Sequence, residues 1–156
     1  MAERKSIATA YERLRKGTKL PTYAELNAEY DLDAIPHDTT RPAREIAKKL
    51  FERTDSFRKI LEGLLQPEGL AEMQEADVLG ASAAAAATEL LRLLMRIDRE
   101  LLATELVNSE EAYLTFIASA HPAWTAIKER LRPIVTALEA CWKQPNGTKN
   151  DLRYLG

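Results

Sequence analysis

The sequence predicts an all-α fold: a single-domain antiparallel helical bundle with three long helices plus three or four short ones. Three observations predict it. Apolar residues recur at three- and four-residue steps through most of the chain, the stretch 81–107 contains neither Gly nor Pro, and no segment alternates apolar and polar residues with turn signals at hairpin spacing. At 156 residues the chain is long enough to bury one core and short for two full domains, so 1–156 reads as one helical domain. Residues 1–5 and 144–156, polar and turn-forming, are expected to be flexible or loosely docked.

Ile7, Tyr11 and Leu14 share a helical face, and Gly17 is placed to end that first short helix. Thr22 and Glu25 have the spacing of a capping box, opening a second helix whose inner face carries Tyr23, Leu26 and Tyr30. From Asp31 to Thr40 the acids, Pro36 and His37 predict an exposed loop, with a restart at Pro42, a favourable first-turn residue. Ala43, Ile46, Leu50, Phe57, Leu61 and Leu64 hold one phase from 42 to 66. The phase outweighs the possible cap at Thr54-Asp55-Ser56 and favours a single helix.

Pro67-Glu68-Gly69 ends that helix, and 70–79 is a weaker helical segment set off by Gly80. The stretch 81–107 then predicts a helix of about 40 Å. Leu90, Leu94, Ile97 and Leu101 form one stripe, and Leu91, Met95 and Leu102 the next, an arc wide enough for more than one neighbour. The alanines from Ala83 to Ala87 would let another helix approach closely. Asn108 and Ser109 cap a short helix with Tyr113, Phe116, Ile117 and Ala120 on its inner face. His121-Pro122 breaks or bends the chain before a last long helix, 122–143, in which Pro133 falls on the solvent side.

Composition excludes several classes of function. The 22 basic and 24 acidic side chains nearly cancel, so no overall field selects nucleic acid or an anionic membrane. The apolar runs are cut by Glu89, Arg92 and Arg96, and the start of the chain has no apolar core, so neither a membrane span nor a signal peptide is expected. With one cysteine, Cys141, no internal disulfide can form, and the chain reads as cytoplasmic. No cofactor and no metal are expected: there is no glycine-rich phosphate loop, no Glu-x-x-His, and the histidines stand 84 residues apart. Ser56-x-x-Lys59 lacks the companion motifs of acyl-transfer enzymes, so the chain reads as non-enzymatic. Residues 22–32 resemble the first helix of a helix-turn-helix, but Asp33, Pro36, His37 and Asp38 fall where a recognition helix would lie.

Two sets of residues remain as site candidates. Asp98 and Glu105 fall at about 80° and 60° from Leu90 on the helical wheel, inside the apolar arc. A carboxylate buried there needs a partner or a raised pKa. Arg58 and Arg130, within or beside the apolar arcs of their helices, are the expected partners, and the four together are candidates for a buried polar cluster or ligand pocket. Charge is also blocked along the chain: residues 1–20 carry six bases and two acids, 21–40 five acids, 41–60 seven bases and three acids, and 61–80 five acids. Packed as neighbours, the blocks neutralise one another. Joined, Arg13, Arg15, Lys16, Arg41, Arg44, Lys48 and Lys49 form an anion-binding patch.

The first expectation is therefore a helical interaction or oligomerisation module whose partner is itself or another protein. An anionic-ligand or nucleic-acid-binding role of the basic segments 4–19 and 41–59 is the alternative.

Overall fold

The computed structural model describes residues 6–143, so the expectations for 1–5 and 144–156 lie outside the described residues. Ser6 opens α1 (Ile7–Arg15) by accepting the amide of Thr9 on its hydroxyl at 3.2 Å, and Gly17, at φ 80°, takes the left-handed turn that ends it. Both arms of the Thr22–Glu25 capping box form, at 3.1 and 2.9 Å, and set the start of α2 (Tyr23–Tyr30). The segment after it departs from the expected exposed loop. A 3-10 turn, Leu32–Ala34, turns Leu32 and Ile35 into the core, 0% and 4% exposed, so two apolar anchors hold an otherwise polar stretch.

Pro42 begins α3 (Pro42–Leu65), a single helix with Ala43, Ile46, Ala47, Leu50, Leu61 and Leu64 buried along one side. Thr54 does not restart it. The threonine is buried and satisfies its hydroxyl by donating to the Phe51 carbonyl at 3.0 Å. The weaker segment after Gly69 is helical and joins the Ala-rich stretch in α4 (Leu70–Val107), with a kink at Gly80 (φ 74°, ψ −179°). That conformation is open essentially to glycine alone. Asn108 closes α4 in the left-handed region.

α5 (Glu110–Lys143) is one helix where two were expected, with Pro122 and Pro133 inside it. The buried residues Tyr113, Phe116, Ile117, Ala120, Trp124, Ile127, Leu131 and Ile134 keep their phase through His121-Pro122. Pro122 is exposed, so the missing amide costs one hydrogen bond on the solvent side, while burial of residues before and after it holds the helix together.

The long helices form the bundle and α1 and α2 lie on α3. At one end the amide of Ala43 donates to Glu110 at 3.0 Å, and the Arg41 guanidinium donates to the side chain and carbonyl of Asn108 at 2.9 and 2.7 Å. The start of α3, the end of α4 and the start of α5 thus meet there, and α4 runs antiparallel to the other two.

Candidate functional site

Asp98 is half-buried, its side chain 17% exposed, and it pairs with its neighbour Arg99, whose own side chain is 64% exposed. The expected interhelical pair is not formed. Arg58 binds Asp55 and Glu62 on its own helix, both at 2.6 Å, and Arg130 holds Glu89 of α4 at 2.9 Å. The hydrogen bond from Arg58 holds the Asp55 carboxyl below the usual range, against a smaller effect of burial. Glu105 is exposed, as are Leu102, Leu106 and Val107, at 50%, 89% and 67%. The structure therefore does not gather Asp98, Glu105, Arg58 and Arg130 into one pocket. The cause is coverage: α3 and α5 flank one side of α4, and the second stripe of its apolar arc is left partly uncovered.

The basic candidates divide. Arg15 pairs with Glu12 at 2.5 Å, Lys48 with Glu45 at 3.4 Å and Lys49 with Glu52 at 3.3 Å, each three residues away on the same helix. Arg41 is held by Asn108, lies 3.5 Å from Glu110 and stacks 5.7 Å above the Tyr113 ring. These four are occupied in joining or bracing helices. Arg13, Lys16 and Arg44 have no acidic partner among the described residues.

The polar cluster that does form between elements involves none of these residues. Glu29, on α2, accepts hydrogen bonds from the Trp124 indole at 2.8 Å and the Lys128 ammonium at 2.6 Å, while Arg53 of α3 donates to the Glu29 carbonyl at 2.9 Å. One residue later, the Tyr30 hydroxyl is hydrogen-bonded to Nδ1 of His121 at 2.8 Å, with the two rings edge to face at 5.6 Å. Phe57 packs at 5.3 Å against Trp124 from α3. Burial opposes the charge on Glu29, but the donors Lys128 and Trp124 prevail and hold its carboxyl below the usual range. Burial lowers the His121 pKa, with Glu29 and Glu25 pulling the other way, and raises that of Tyr30.

With both carboxylate oxygens engaged and its charged form favoured, Glu29 is suited to bracing α2 against α5 and poorly suited to taking up a proton. Periodicity could place Tyr30 on an inner face, but nothing in the sequence marks an acid that meets a tryptophan 95 residues away. Lys59, of the Ser-x-x-Lys pattern, points to solvent and pairs with Asp55 at 3.1 Å. Among the described residues, no group of three or more His, Cys, Asp or Glu side chains could hold a metal ion.

The other prominent feature is the uncovered side of α4. Ala81, Ser82, Ala84, Ala85 and Thr88 are exposed, and in this stretch Ala87 and Leu90 are the buried residues. By length and composition α4 is apolar enough to cross a membrane, where none of the helices was expected to, and only 17% of that apolar window is buried. Glu89 and Arg92 interrupt the sequence run without lowering its average below that of a span. Before the kink, Leu70, Met73 and Val78 are 62%, 37% and 51% exposed, and Trp142, which donates to Glu75 at 3.1 Å, is itself 57% exposed. Comparison with protein-family models, with curated proteins and with solved structures found no match.

Proposed function

We propose that the chain is a non-enzymatic helical association module that pairs with a second copy of itself through the uncovered face of α4. The observation carrying this reading is that the most apolar stretch of the longest helix is 17% buried within the monomer. An apolar helix face left open to solvent is suited to contact with a partner. The small side chains of Ala81, Ala84 and Ala85 allow a second helix to come close, and a two-fold contact would set this face against its own copy. Sedimentation equilibrium over a range of concentrations tests it. A dimer that Ala85→Arg converts to a monomer with unchanged helicity is the expected result. A monomer at every concentration rejects it, and binding to vesicles in its place would assign the same face to a lipid surface.

The anionic-ligand reading draws on Arg13, Lys16 and Arg44, which have no acidic partner among the described residues. It requires retention on heparin that falls steeply with salt, and Arg13→Gln with Lys16→Gln should abolish that retention.

A further inference from the structure

We infer that the groove between α4 and α5 is a binding site for a short aliphatic carboxylate. Leu93 and Ile97 from α4 and Ala123 and Ile127 from α5 form the walls of a slot of about 210 Å³. Its size and its polarity both restrict what it takes. The slot is smaller than the sites of drug-sized ligands, and its volume equals that of about seven water-sized groups, enough for a chain of about six carbons.

Charged side chains of both signs line the slot. Arg96 and Arg130 both line it, and Arg96 makes no hydrogen bond or ion pair with any other described residue. Arg130 is shared with Glu89 at 2.9 Å. Glu100 lines it as well, fixed by a hydrogen bond from the Ser119 hydroxyl at 3.2 Å. Arg96 and Glu100 are one turn apart on α4, about 6 Å along the axis. An anionic head is therefore drawn to the unpaired Arg96, whose planar guanidinium matches a carboxylate through two parallel hydrogen bonds, and away from Glu100. The hydrocarbon then lies against Leu93, Ala123 and Ala126, the apolar lining residues that keep exposed surface. A neutral alcohol of the same length would fill the slot without using its polarity, and acetate would use the arginine without filling the slot.

Calorimetric titration of the full chain with butanoate, hexanoate and 1-hexanol tests the assignment. Hexanoate should bind saturably, and each added methylene from butanoate to hexanoate should tighten binding about fourfold. Arg96→Gln, a surface change, should weaken hexanoate about tenfold and leave 1-hexanol unaffected. Ala126→Leu, on the same lining, should abolish both, with helicity followed by circular dichroism. Hexanoate binding that is absent, no tighter than that of butanoate, or unchanged in Arg96→Gln overturns the assignment whatever the behaviour of Ala126→Leu.

Discussion

The indole nitrogen of Trp124 donates to the carboxylate of Glu29 at 2.8 Å, joining α5 to α2 across 95 residues of chain. Lys128, one turn further along α5, donates to the other oxygen at 2.6 Å. A short helix of eight residues has little stability of its own, so this contact, with Leu26 and Tyr30 in the core, is what keeps α2 in place.

Glu29→Gln should therefore destabilise the fold by about 1–2 kcal/mol, since hydrogen bonds to a charged group exceed neutral ones but Glu29 keeps contact with water. Urea denaturation measures it. In a double-mutant cycle with Trp124→Phe, a coupling energy near zero would refute the bracing role.

Stability should fall with acid in two steps, and the signs follow from the directions of the shifts. His121 has its folded pKa lowered below 6.5, so the unfolded chain takes up the proton first, and its contribution is present above 6.5 and lost as pH falls below that value. Glu29 has its folded pKa lowered below 4.5, so its contribution is lost as pH falls through the range below 4.5. Thermal melts between pH 8 and 3 should show both steps, and His121→Gln should remove the upper one alone.

Gly80→Ala should cost about 1–3 kcal/mol, because the kink places this residue at φ 74° and ψ −179°, where a side chain is strained by its own backbone. The space around it is open, with nothing within 4 Å of an added Cβ, so the whole effect is conformational. An unchanged melting temperature would mean that the kink straightens without penalty.

Asp98→Asn should change stability by less than about 0.5 kcal/mol, because its partner is the exposed side chain of Arg99 and surface pairs of this kind contribute little. A loss several times larger would restore the buried interhelical pair that the helical wheel suggests.

Local chemistry was legible without coordinates. The Thr22–Glu25 box, the stop at Gly17, the start at Pro42, the unbroken phase from 42 to 65 and the cap at Asn108-Ser109 all depend on residues a few positions apart, and all form as the pattern implies. The continuity of α5 was missed: the local effect of Pro122 points to a break, and only the burial of Ala120 and Trp124 on either side of it carries the helix through. The lining of the α4–α5 slot could not be read, since it needs Arg96 and Ile127 to meet.

The sequence by itself determined which segments are helices, where most of them begin and end, and which side of each is apolar. Those properties follow from backbone sterics, capping and a period of 3.6 residues. Only the tertiary structure decided how much of each apolar side is covered. Periodicity records that Leu94 and Leu102 both lie in the arc of α4, yet Leu94 is 1% exposed and Leu102 50%, because burial depends on how many helices reach a face and how far they extend along it. The same dependence leaves Asp98 beside Arg99 at the margin of the core and gives the bracing role to Glu29, whose partners are set by the approach of α2 to α5.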